Sequence, residues 1–226
     1  TLLIGHDSAF GAGTVTTSNV SIQALGGTRT LANNFVTTAN TNLIVSGSNS
    51  LIISGTMTNG GNNNSGLNNF LTGGATLTVN GNVVLTNDAA ARTYIMRGTG
   101  TTILNGVISN GTTAGSALQS EMSVNTGLNT AAGLLRIGGV ANTYTGNTNI
   151  STGVLQLDAA AGTYTGAANP LGDANNLAFV GAGYFQTAGS GNYQFEQGLV
   201  VGGAGGAVVH AHRLDDLGAD AVHRVQ

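Results

Sequence analysis

The sequence has no cysteine, tryptophan or lysine, a single proline, and charged residues at only 7% of its 226 positions. The missing cysteines exclude disulfide cross-links and cysteine-ligated metal sites. Six arginines against nine acidic residues give a net charge of −3, so we expect no nucleic-acid partner. No apolar run approaches the roughly 18 residues of a membrane-spanning helix, and we expect no membrane insertion within these residues.

With so few charges, hydroxyl and amide side chains must provide most of the solvent-facing surface. Hydrophobic residues make up 41% of the chain and glycine accounts for 37 residues. A disordered chain combines low hydrophobicity with high net charge, and this chain has neither. We therefore expect it to fold.

Short β-prone runs recur roughly every 8 to 12 residues, with glycine, asparagine or serine between them, which predicts an all-β fold. In residues 75–79 (ATLTV) the alternation is regular: Ala75, Leu77 and Val79 share one face and the threonines the other. A sandwich would show similar spacing, but hairpin dipeptides at regular intervals are scarce. We predict a right-handed parallel β-helix, a β-solenoid, over residues 1–209, with about 20 to 25 residues per coil.

One phrase marks the repeat. Residues 142–146 read Asn-Thr-Tyr-Thr-Gly, and β-prone runs flank them at 134–137 and 154–157. The phrase returns as Thr-Tyr-Thr-Gly at residues 163–166. A phrase that recurs at a short fixed period is typical of stacked repeats, so we predict that these two copies lie one coil apart.

The segment from residue 142 through Gly153 to Leu157 resembles the autotransporter-associated β-strand repeat, also called the passenger-associated transport repeat, of bacterial autotransporter passenger domains. Residues 1–15 and 21–35 resemble the segment that follows such a repeat. Arg136 departs from the family pattern, which usually has a small polar residue there. The resemblance implies a β-helix, an extracellular or outer-membrane location on a bacterium, and a role in secretion or adhesion.

Three runs are apolar on both strand faces: residues 43–45, 51–53 and 83–85. Either a long loop or a partner covers their outer face, or their outward side chains are isolated exposed residues.

The last 17 residues differ in composition. Residues 210–226 hold three of the four histidines and three of the seven aspartates, and their apolar residues fall on one helical face. We predict a charged tail or a short capping helix over the open end of the solenoid. His210 and His212 with Asp215 and Asp216 have the composition of a zinc site, but a solvated tail is the commoner arrangement, and we predict no metal site.

We predict no catalytic residue and no cofactor. His6, Asp7 and Ser8 have the residue types of a hydrolase triad, but consecutive strand residues point to opposite faces. A carbohydrate-cleaving site requires clustered carboxylates. Here distant coils would have to bring Asp88, Glu121 or Asp158 together.

The sequence therefore favours a non-enzymatic structural or surface-display module of an autotransporter-type passenger, with a secretion, adhesion or spacer role. A second hypothesis is a self-assembling subunit of an extracellular filament, which associates through the solenoid ends or the apolar strands. A third is an adhesin that binds a surface glycan or protein through loops at residues 59–69 and 112–129.

Overall fold

The computed structural model describes residues 1–61, 65–122, 133–138, 141–158, 162–164, 169–173, 176–181, 183–188, 193–195, 198–201 and 208–209. All helical or strand structure in these residues is β-strand, and every strand pair is parallel. None of the described residues form a helix of the length and apolar character needed to span a membrane. The capping helix or tail predicted at 210–226 lies outside the described residues.

Most strands stack into three parallel sheets, which we call walls 1, 2 and 3. Wall 1 consists of β1 (Leu2–Ile4), β3 (Val20–Ala24), β6 (Asn42–Gly47), β9 (Ser65–Leu71), β12 (Thr93–Arg97), β15 (Ala117–Glu121), the first half of β17 (Thr148–Asp158), β19 (Asn176–Phe179) and β22 (Gly198–Val201). Wall 2 consists of β4 (Arg29–Leu31), β7 (Leu51–Ile53), β10 (Thr76–Val79), β13 (Thr101–Leu104), β16 (Leu134–Gly138), the second half of β17, β20 (Gly183–Thr187) and β23 (Val208–Val209). Wall 3 consists of β2 (Val15–Thr17), β5 (Phe35–Thr37), β8 (Met57–Asn59), β11 (Val83–Thr86) and β14 (Ile108–Gly111), while β18 (Gly162–Tyr164) pairs separately with β21 (Tyr193–Phe195).

The chain passes from wall 1 to wall 2 to wall 3 and back to wall 1, and each circuit is one coil. Leu77 in β10 therefore lies between Leu51 of the preceding coil and Thr102 of the following one. This arrangement confirms the predicted all-β, parallel solenoid. Coil length varies more than the sequence spacing indicated: Leu2 pairs with Ile22 after 20 residues, whereas Thr102 pairs with Leu135 after 33.

The core is a set of inward-facing ladders, in which one side chain per coil lies above the next. On wall 2 the ladder reads Leu51, Leu77, Thr102, Leu135 and Leu155, all buried. Each fully buried leucine contributes about 1.5–3 kcal/mol relative to an exposed one. The alternation predicted in residues 75–79 is confirmed for β10, because Leu77 and Val79 are buried and the two threonines are not.

The outward side chains of the doubly apolar runs are half-buried, not fully exposed. Ile44, Ile52 and Val84 all point away from the core in this intermediate state. Ile52 lies between Thr30 and Thr78 on the adjacent coils. Stacking of the coils thus shields part of each outward apolar side chain.

Close contact at one corner explains a set of glycines. Gly55, Gly81 and Gly106 occupy equivalent positions between walls 2 and 3 in three successive coils. A Cβ on Gly55 would lie 2.1 Å from the Asn33 carbonyl oxygen, and one on Gly106 would lie 2.1 Å from the Gly81 carbonyl oxygen. Main chain of one coil therefore occupies the space that a side chain of the next would need.

We expect Gly55→Ala to destabilise the fold by about 1–3 kcal/mol, because the added methyl group would overlap main-chain atoms that cannot rotate away. Urea unfolding followed by circular dichroism measures the loss. Gly5→Ala is the matched control, since a Cβ on Gly5 would meet nothing within 4 Å beyond its chain neighbours. Equal unfolding midpoints for the two variants would contradict the close-contact explanation.

Candidate functional site: a coil-to-coil staple and a paired polar surface

Residues 142–146, which the sequence marks as the centre of the repeat, continue wall 3 after β14. The Thr143 N–H donates to the Ile108 carbonyl of the preceding coil at 2.9 Å. The Asn142 N–H donates to the Asn169 carbonyl of the following coil at 3.1 Å. The phrase therefore lies between two other coils.

The Asn142 side chain joins the same two coils. Its Oδ1 accepts the Ile108 N–H at 2.7 Å, and its Nδ2 donates to the Pro170 carbonyl at 2.5 Å. The side chain is fully buried, so both bonds are shielded from water. We call this arrangement the Asn142 staple, because one amide group on the middle coil satisfies main-chain groups of the coils before and after it.

Tyr144 anchors the phrase to the core. Its ring is fully buried, and its hydroxyl lies 2.5 Å from the Thr148 hydroxyl, which in turn donates to the Leu171 carbonyl at 3.2 Å. Burial raises the pKa of Tyr144, and the hydrogen bond with Thr148 opposes that shift in part. A neutral tyrosine thus extends the contact between coils into the interior.

The last two residues of the phrase hold it to the coil before. Thr145 donates its N–H to Asn110 Oδ1 at 3.0 Å, and its hydroxyl accepts from Asn110 Nδ2 at 3.1 Å and from the Gly115 N–H at 2.8 Å. A Cβ on Gly146 would lie 2.4 Å from the Ser116 carbonyl oxygen. Position 145 therefore needs a hydroxyl side chain to accept these hydrogen bonds, and position 146 needs a residue without a Cβ.

Thr163 and Tyr164, the described part of the second copy, lie in the next coil, after β17, but do not stack on Thr143 and Tyr144. Gly162–Tyr164 pairs with Tyr193–Phe195, whereas the segment stacked on Asn142 and Tyr144 is 169–173. Identical short phrases do not fix which segments stack, because the chain between them sets the length of the coil.

The outer surface is polar but largely neutralised. Each of the four arginines in the described residues lies beside an acid: Arg97 beside Glu121 (2.6 Å), Arg136 beside Asp158 (2.6 Å), Arg92 beside Asp88, and Arg29 beside Asp7 (4.0 Å). The hydrogen bond from Arg92 holds the pKa of Asp88 below its usual value.

Three of these pairs connect neighbouring coils, and one of them joins Arg29 on β4 to Asp7, which follows β1 of the coil before. Arg97 and Glu121 are register partners on β12 and β15, and Arg97 Nη1 also reaches Asn42 Oδ1 at 3.3 Å. Arg136 points outward from wall 2 and pairs with Asp158 of the following coil. Because these groups are partly exposed, each pair contributes about 0–1 kcal/mol, so their main effect is on surface charge.

The structure does not gather the carboxylates that a carbohydrate-cleaving site would need. Asp88 follows wall 3, Glu121 ends a wall 1 strand and Asp158 ends a wall 2 strand. Among the described residues, no group of three or more histidines, aspartates or glutamates is placed to hold a metal ion. The histidines and aspartates of residues 210–226 lie outside the described residues.

His6, Asp7 and Ser8 lie in the bend and turn after β1, and not on a strand as expected from the sequence. His6 Nδ1 is 2.8 Å from the Ser8 hydroxyl and also accepts the Ser8 N–H at 3.2 Å. Asp7 instead accepts the Thr30 N–H at 3.2 Å. In a catalytic triad the acid accepts a hydrogen bond from the histidine and orients it. Asp7 bonds to the main chain of β4 and not to His6, so these residues do not have triad geometry.

Each of the two predicted recognition loops contains a strand, while residues 60–61, 112–116 and 122 are turn or irregular structure as expected of loops. Ser65–Leu71 forms β9 within the segment 59–69 and beyond it, and Ala117–Glu121 forms β15 within 112–129. Asn69 illustrates the reason: it is fully buried, and its amide donates to the Thr101 carbonyl at 2.8 Å and accepts the Leu71 N–H at 3.0 Å. Residues 62–64 and 123–129 lie outside the described residues.

Comparison of the chain with protein-family models, with curated proteins and with solved structures finds no match. The resemblance of residues 142–157 to the autotransporter repeat therefore stays a prediction from the sequence.

We expect Asn142→Ala to lower the free energy of unfolding by about 2–4 kcal/mol, because it leaves the Ile108 N–H and the Pro170 carbonyl without their side-chain partner. Thr143→Ala is the control: Thr143 is adjacent but exposed, so its loss should change stability by less than about 0.5 kcal/mol. Thermal and urea unfolding measure both variants. If the two variants unfold alike, Asn142 does not join the coils energetically.

Proposed function

We propose that this chain is a non-enzymatic structural segment of an extracellular bacterial surface protein of the autotransporter-passenger type, and that it acts as a rigid spacer or display element. The observation that carries the proposal is the Asn142 staple: the phrase that resembles the passenger repeat is the one that joins three successive coils. The most family-like residues therefore build the stack and do not line a cleft.

The stacking geometry suits a spacer. Wall 1 has nine strands in the described residues, and at about 4.8 Å per coil they extend over roughly 40 Å. A solenoid grows in one dimension because each coil contacts its neighbours, so length is adjustable without a new core.

The same geometry suits export through a narrow passage. A chain whose contacts join adjacent coils can fold coil upon coil as it emerges, without waiting for distant segments. The absence of cysteine is compatible with passage in an unfolded state, since no disulfide has to form.

Antibodies raised against the folded chain test the location. We expect them to label intact cells of the source organism, or to detect the chain in the culture medium, without permeabilisation. An antibody against a cytoplasmic protein, which should label only permeabilised cells, is the control. Labelling of the chain only after permeabilisation would contradict the proposal.

End-to-end association between copies is a second candidate function, and the exposed side chains of the first coil favour it. Leu2, Leu3 and Leu25 are 47%, 53% and 49% exposed. Leu2 pairs with the buried Ile22, so it occupies an inward ladder position that one further coil would cover. Among the described residues β1 pairs only with β3, so its other edge can accept one more strand, from a second copy or from residues before Thr1.

If copies stack through this end, sedimentation velocity should show larger species as concentration rises. Leu2→Asp combined with Leu3→Asp should remain monomeric, because charges at an apolar contact oppose association. Val180→Asp is the matched control, since Val180 is 48% exposed on a later coil and should leave association unchanged. A wild-type chain that stays monomeric at high concentration would contradict this second function.

A further inference from the structure

The chain contains four Asn-Gly dipeptides, at residues 59–60, 80–81, 105–106 and 110–111. In such a step the glycine nitrogen can attack the asparagine side-chain carbon, because glycine has no Cβ to crowd the approach. The reaction needs an accessible amide and a glycine N–H that is not hydrogen-bonded. The four steps differ in both respects.

Two of the steps are protected by the fold. Asn59 is fully buried, and the Gly60 N–H donates to the Thr37 carbonyl at 2.9 Å. Asn110 is held on both atoms of its amide by Thr145, at 3.0 and 3.1 Å. In the first case the nucleophile is engaged, and in the second the side chain cannot turn toward the main chain.

The other two steps lie at the glycine corner between walls 2 and 3. Asn80 and Asn105 are both exposed, and both lie between strands. In the described part of the chain, the N–H groups of Gly81 and Gly106 have no hydrogen-bond partner. The asparagine main chain is anchored at each step, since Asn80 donates to Ile53 and Asn105 to Val79.

One hydrogen bond distinguishes these two exposed asparagines. Asn105 Nδ2 donates to Asn80 Oδ1 at 2.9 Å, across adjacent coils. The bond withdraws electron density from the Asn80 side-chain carbonyl, which makes its carbon the better electrophile. Asn105 is the donor in this bond, through Nδ2, so its own side-chain carbonyl is not activated in the same way.

We propose that Asn80 is a site of spontaneous self-modification, at which the Gly81 nitrogen closes on the Asn80 side chain. The Gly81 N–H gives its proton to solvent, the nitrogen bonds to Cγ, and the Cγ–Nδ2 bond breaks to release ammonia. Water then opens the resulting five-membered imide to aspartate or isoaspartate. No oxidant or reductant is needed, and water is the co-reactant.

The two products have different consequences at this corner. Aspartate keeps the acceptor that Asn105 Nδ2 uses and adds one negative charge. Isoaspartate lengthens the main chain by one carbon where Gly81 and Gly106 are in close contact, as shown by the 2.1 Å approach of a Cβ on Gly106. Over time the modification therefore weakens the packing of the coil that contains Gly81 against the coil that contains Gly106.

Peptide mapping by mass spectrometry tests this on the full, folded chain incubated for weeks at neutral to mildly alkaline pH. We expect conversion at Asn80 to be at least about tenfold faster than at Asn59 or Asn110, because only the exposed corner presents both reacting groups. A chain unfolded in urea is the control, and there the four steps should convert at similar rates. Conversion of Asn80 in the folded chain no faster than that of Asn110 would overturn the proposal.

Asn105→Ala tests the activating hydrogen bond by itself. Alanine has no side-chain donor for Asn80 and leaves Gly81 and Gly106 in place, and circular dichroism checks that the fold is retained. We expect conversion at Asn80 to slow severalfold. An unchanged rate of Asn80 conversion in a folded Asn105→Ala chain would refute the activating role, and the comparison with Asn110 would still decide whether Asn80 is the modified site.

Discussion

A strand in this solenoid has no hydrogen-bond partner within its own coil. Its N–H and carbonyl groups pair with the coil before and the coil after, as Leu77 does between Leu51 and Thr102. A buried main-chain group left unpaired costs about 1–3 kcal/mol, so a coil is stable only when its neighbours lie in register at ladder spacing. The requirement for close, regular stacking governs the rest of the sequence.

Glycine and asparagine meet that requirement in two ways. At Gly55 and Gly106 the main chain of the preceding coil occupies the place of a Cβ, which lets coils approach at the corner. At Asn142 and Asn69 a buried amide adds hydrogen bonds between coils to those that the main chain makes there. The low content of charged residues fits the same geometry, because on each wall only the outward positions can hold a charged side chain. The arginines in the described residues are each paired with an acid.

The sequence predicted the fold class correctly because its signals are local: short apolar runs, alternation and glycine punctuation. The predicted β-prone run at 134–137 lies within β16 (Leu134–Gly138), and the run at 154–157 lies within β17 (Thr148–Asp158). β9 and β15 were missed because they are polar, and an inward asparagine such as Asn69 cannot be told from a loop asparagine without its partners. The sequence identified residues 142–146 as central, but not their contacts with Ile108 and Pro170, which depend on coil length. Glycine recurs after Ser54, Asn80 and Asn105, at the same corner of three successive coils. This recurrence indicates which residues stack on one another, and it was overlooked in the sequence.

A spacer function needs a body whose order is continuous along one axis, and nearest-neighbour stacking supplies it. Nuclear Overhauser contacts between backbone protons of Leu77 and its neighbours test this central claim most directly. The account predicts contacts from Leu77 to both Leu51 and Thr102, in parallel register. Contacts that pair β10 with β11 as an antiparallel hairpin would contradict it.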